Sequence, residues 1–71
     1  MMFWWFERGG AYMRCEVLRL AAEKYELRVL EPDGSESVEA FDDDAQLAAR
    51  QQDMLASLSA GGWTGPHGWI S

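Results

Sequence analysis

The chain has 71 residues, a net charge of −6 and 48% hydrophobic residues, with four Trp, three Phe and two Tyr. That length makes one small domain, near the lower limit for a core that is stable on its own. The apolar content excludes disorder, and no apolar run approaches the roughly 20 residues a bilayer requires, so no membrane partner is expected. A single cysteine, Cys15, leaves no internal disulfide, and the opening "MMFWWFERGG" lacks a basic leader region. Cytoplasmic residence is therefore expected. The charge is uneven. Residues 1–30 hold five basic and four acidic side chains, whereas residues 31–71 hold Arg50 against eight acids. An acidic second half is a poor binder of phosphate backbones.

In chain order, residues 2–7 and 11–20 alternate around Gly9-Gly10, a favoured two-residue hairpin loop because Gly accepts positive φ. Residues 24–31 follow across Ala21-Ala22-Glu23, and residues 36–41 follow Pro32-Asp33-Gly34-Ser35, a strong turn signal. These segments predict a four-stranded antiparallel meander. Residues 43–60 read as a helix: Asp43 caps it with Gln46 three residues on, and Leu47, Met54, Leu55 and Leu58 recur at helical spacing. Gln51 interrupts that stripe, and Gly61-Gly62 supply the stop. Residues 61–71, with Trp63, Trp69 and a Gly-Pro break, read as an irregular tail. The fold expected over 1–71 is a single α+β domain of ββββα order, with the helix on one face of the sheet.

Strands turn alternate side chains to opposite faces, so loop lengths predict which residues share a face. The loops pair Trp4 with Cys15, Cys15 with Val29, and Val29 with Val38. One face then collects Trp4, Phe6, Met13, Cys15, Val17, Tyr25, Leu27, Val29, Val38 and Ala40 as the core beneath the helix. The other carries Phe3, Trp5, Tyr12, Arg14, Leu18, Arg28, Leu30 and Phe41. These eight form the candidate interface. Glu16, Arg28 and Glu39 are expected in a row of alternating charge, and Trp5 opposite Arg14 is expected beneath its guanidinium.

Soluble monomers seldom leave an apolar patch of a few hundred Å² open. The chain's own tail, a second copy, or a foreign protein or nucleic acid can cover it, and a second copy is the preferred expectation. Aromatics beside arginines suit single-stranded nucleic acid, which is the alternative, but Glu16, Glu26 and Glu39 among them oppose a phosphate backbone. No cofactor, metal or catalytic residue is expected. His67, the only histidine, has no partner at metal-ligand spacing, and Cys15 on the core face is a small hydrophobe rather than a nucleophile. Asp42-Asp43-Asp44 lacks the spaced ligands of a calcium loop and reads as helix capping.

The run "YELRVLEPDGSESVEAFDDDAQLAARQ" followed by "GGWTGP" resembles a family of short bacterial proteins of uncharacterised role. Members carry a Tyr-Glu-Leu strand, a Pro-Asp-Gly hairpin, a Phe-Asp-Asp helix start and a Gly-Trp close. The match covers most of the chain, from about Trp4 to Gly68, and implies a fold but no activity. In layout, four strands and a helix are similar to single-strand-binding coactivator and Whirly-type domains, which dimerise. The function expected is a small non-enzymatic binding or assembly module, homodimeric through the aromatic sheet face.

Overall fold

A computed structural model of the chain describes residues 2–70, the last two as backbone. Its element order is β1 (Met2–Arg8), β2 (Ala11–Ala21), β3 (Lys24–Leu30), β4 (Glu36–Phe41), α1 (Asp44–Ala60) and β5 (Thr64–Ile70). The protein is α+β, but the sheet has five strands in the order β4-β3-β2-β1-β5. The segment read as an irregular tail is thus a strand, hydrogen-bonded antiparallel to β1. Its Gly65, Pro66 and Gly68 suit an edge strand with bulges, where a missing N–H and left-handed backbone are tolerated. Pairing runs from Glu7↔Thr64 to Trp5↔His67 to Phe3↔Ile70, so β5 spends one extra residue at each step.

The first two hairpins have the expected register. Gly9 and Gly10 both take positive φ and set Trp4 opposite Cys15, and Cys15 lies opposite Val29. The second hairpin reaches that register by a different route. Ala21 pairs with Lys24 after a bulge, and Glu23 takes φ 62.

The third hairpin departs by one residue. Val29 pairs with Ser37, not Val38, and Leu27 pairs with Glu39, not Ala40. The cause is the loop. Gly34 N–H donates to Glu31 O at 2.9 Å, Gly34 takes φ 91, and Glu31 N–H donates to Ser35 O at 2.8 Å. Glu31 and Ser35 therefore close a three-residue Pro-Asp-Gly loop ending in a left-handed glycine, and the loop does not extend to Ser35. A one-residue slip exchanges the faces of a strand. Val38 and Ala40 leave the core for the open face, with Val38 51% exposed, and Phe41 and Glu39 turn toward the helix.

The core holds Trp4, Phe6, Met13, Cys15, Val17, Leu27 and Val29 from the sheet, with Leu47 and Met54 from α1. Tyr25, Phe41, Leu58 and Trp63 pack around it, partly buried. The helix begins where Asp43 Oδ1 accepts from Gln46 N–H at 2.7 Å. It ends in a Schellman turn: Trp63 N–H donates to Leu58 O at 3.0 Å, Gly62 N–H donates to Ser59 O at 3.1 Å, and Gly62 takes φ 87. That turn sends the chain back along β1. No helix among the described residues is long and apolar enough to cross a membrane.

Candidate functional site

Parity in β1 decides the site. Trp4 and Phe6 are 2% and 3% exposed beneath α1, so Phe3, Trp5 and Glu7 stand on the opposite face, each half-buried. Register carries that face across the sheet through Tyr12, Arg14, Glu16 and Leu18 on β2, then Glu26, Arg28 and Leu30 on β3. Of the eight expected interface residues, seven come together there: Phe3, Trp5, Tyr12, Arg14, Leu18, Arg28 and Leu30. Phe41 does not. It lies opposite Tyr25 and packs against the core, because the slipped β4 reverses its direction. Val38 takes its place on the open face.

Charges on this face are also rearranged by the slip. Arg28 faces Glu16 on one side and Val38 on the other, so the expected Glu16-Arg28-Glu39 row is cut. Arg28 Nε instead donates to Glu26 Oε1 at 2.7 Å, and Glu26 holds the guanidinium above its ordinary range. Glu39 lies on the helix side, where Arg50 Nε donates to its carboxylate at 3.0 Å. Arg14 and Glu7 have no ion-pair partner among the described residues.

Trp5, Phe3, Tyr12, Glu7, Arg14 and His67 surround an open depression of about 680 Å³. Phe3 lies 6.1 Å from Trp5 between ring centroids, and His67 lies 6.0 Å away on the other side. Trp5 sits down on the backbone of Gly68: a Cβ there would fall 1.8 Å from the ring. Gly68 (φ +63) is therefore required twice over, by its conformation and by the indole against it. Arg14 is the cross-strand neighbour of Trp5, as expected, but the cation–π stack in this part of the molecule belongs to Arg8, 4.7 Å from the Trp63 centroid. Arg8 Nη1 also donates to Gly61 O at 2.9 Å, tying the end of β1 to the turn that precedes β5.

Glu7 and His67 escaped sequence reasoning. Glu7 shares the parity of Phe3 and Trp5, and that signal was available. His67 reads as a polar tail residue because nothing local places it; only the pairing of β5 with β1 does. Thr64 Oγ1–H donates to Glu7 O at 3.2 Å and lies 3.1 Å from His67 Nε2. A hydroxyl has one proton, so with that proton on Glu7 O the imidazole Nε2–H donates to Thr64 Oγ1.

Cys15 is buried in the middle of the sheet, its Sγ–H donating to Met54 Sδ at 3.7 Å. Burial, aided by Glu31, pushes the thiol up to about 12, which is the opposite of an activated nucleophile. Trp63 packs against the core and not over the open face. The side chain of Trp69 lies outside the described residues. No protein-family model, curated protein or solved structure matches this chain.

Proposed function

We propose that the protein is a small, non-enzymatic binding and assembly module of the cytoplasm that works as a homodimer through its aromatic sheet face. One observation carries this reading. The helix covers one face of the sheet, β5 extends its edge, and among the residues whose side chains are described no element lies over the other face, which carries Phe3, Trp5, Tyr12, Leu18, Leu30 and Val38. Aromatic residues on an uncovered sheet face are what association energy draws on.

Single-stranded nucleic acid is the second occupant, favoured by the rings of Phe3, Trp5, Tyr12 and His67 around Arg14. Glu7, Glu16, Glu26 and Glu36 stand on the same face by register and would repel a phosphate backbone. A second copy of the chain meets no such objection, since acids and arginines can pair across the interface.

Two substitutions test the reading. Trp5→Ser leaves a folded chain that elutes as a monomer, whereas Trp4→Ser removes a core indole and lowers stability by roughly 3–5 kcal/mol. Size-exclusion chromatography and circular dichroism on both variants check this. If Trp5→Ser elutes with the wild type, the aromatic face is not the interface.

A further inference from the structure

The depression around Trp5 holds one carboxylate and one guanidinium, those of Glu7 and Arg14, beside His67, and neither has an ion-pair partner among the described residues. Glu7 lies opposite Tyr12, and Trp5 lies opposite Arg14, so the four occupy the corners of a two-by-two block on β1 and β2. Glu7 and Arg14 form one diagonal of that block, and Trp5 and Tyr12 form the other. Elsewhere on the face Arg28 is already held by Glu26 at 2.7 Å.

Resting on the homodimer reading above, we propose that the molecular two-fold runs along the Trp5–Tyr12 diagonal, pairing Glu7 of each copy with Arg14 of the other. For two copies stacked face to face the axis must lie between the sheets and parallel to them. Such an axis exchanges positions across itself, and the interface is isologous. An axis along the strands, between β1 and β2, sets Trp5 over the partner's Arg14 but buries Glu7 against the partner's Tyr12 with no cation. An axis across the strands sets Glu7 over the partner's Trp5 and leaves both charges unpaired. A charge taken out of water without a partner is strongly disfavoured. The other diagonal sets Glu7 on Glu7 and Arg14 on Arg14. Of the axes through this block, the Trp5–Tyr12 diagonal alone gives both charges a counterion, and it lays Trp5 on its own copy at the centre, where interface energy concentrates.

The same construction sets the crossing angle. Alternate residues of a strand are about 6.7 Å apart and neighbouring strands about 4.8 Å apart, so the diagonal lies about 36° from the strands. Reflection across it doubles that inclination and crosses the strands of the two sheets at roughly 70°, closer to the orthogonal than to the aligned way that sheets pack.

Charge reversal tests the axis, read by light scattering on mixtures. Glu7→Arg alone sets Arg against Arg twice, and Arg14→Glu alone sets Glu against Glu twice. Each variant alone should lose self-association by roughly a hundredfold or more and scatter as a monomer. An equimolar mixture of the two should restore the dimer, because every contact between unlike variants pairs opposite charges. If the wild type is dimeric but the single variants stay dimeric, or the mixture stays monomeric, the axis is wrong while the homodimer stands. A monomeric wild type overturns both. Should a reversed chain fail to fold, Glu7→Gln and Arg14→Gln decide: each weakens the dimer, and their combination weakens it no further than either alone. Losses that multiply would overturn the pairing.

Discussion

Two positions show how a single side chain, or the lack of one, sets what this protein can do. Gly68 gives Trp5 its seat on the open face. Gly68→Ala adds a Cβ 1.8 Å from the indole at φ +63, so the ring must lift and the backbone must adopt a disfavoured region. A loss of roughly 2 kcal/mol is expected from the backbone alone, and the Trp fluorescence of the native state should shift with it. Thermal unfolding and emission spectra of the variant check both. Cys15 makes the second case. Its thiol keeps its proton in the folded chain up to about 12, against an ordinary 9.0, because burial disfavours the thiolate and Glu31 adds to the effect. The unfolded chain releases that proton at lower pH, so the stability Cys15 contributes is fully present below about 9 and is lost between 9 and 12. Denaturant titrations across that range should show the decline, and a thiol reagent at pH 8 should label the chain only once it unfolds.

At the scale of elements, strand β4 separates what local chemistry specifies from what it leaves open. The helix was legible from Asp43 to Gly62, because a cap, a stripe and a glycine stop are all local devices. The first two hairpins and their shared register were legible too, as was the core face of β1 to β3. The face of β4 was not, because "EPDGS" supports both a four-residue loop and a three-residue loop closed by Glu31 and Ser35. One residue of difference turned Phe41 toward the core, where it packs partly buried, and moved Val38 to the open face. Strand β5 was hidden for another reason: Gly65, Pro66 and Gly68 erase any alternating pattern, and only the need of β1 for a second neighbour calls it in. "FWWF" carried that hint, since a strand with large aromatics on both faces is an interior strand.

The slipped register makes an opposed pair of predictions. Val38→Lys should change stability by no more than about 0.5 kcal/mol, and Phe41→Ser should cost roughly 2 kcal/mol. Urea denaturation reads both, and the reverse order would restore the longer loop. Within α1, Gln51 occupies the core-facing stripe with its Nε2 buried and no hydrogen-bond partner among the described residues. It borders a groove of about 260 Å³ between helix and sheet, beside Trp4, Phe6 and Pro66. Gln51→Met should raise stability by about 1 kcal/mol by removing the orphaned amide and filling the groove. A loss of stability in the same urea titration would mean that the amide is satisfied.

For the molecule as a whole, the sheet is used on one side only. A chain of this size has little surface to spare, and it spends Phe3, Trp5, Tyr12, Leu18 and Leu30 on the side the helix does not cover. The uncovered face was therefore legible in its position, its aromatic character and most of its residues. Its centre was not, because His67 and Gly68 reach Trp5 only through the pairing of the two ends of the chain. Burying that surface in a dimer would give a small domain the additional apolar area that its own core cannot supply. The same logic predicts concentration-dependent unfolding, with a midpoint that rises as the protein is concentrated.

In the proposed dimer the odd-numbered aromatics of β1, Phe3 and Trp5, lie between the two chains. Sedimentation equilibrium of the wild-type chain at micromolar concentration should return twice the 8.0 kDa of one chain. A single species of 8.0 kDa across the concentration series would contradict the assembly and leave the aromatic face without the occupant assigned to it.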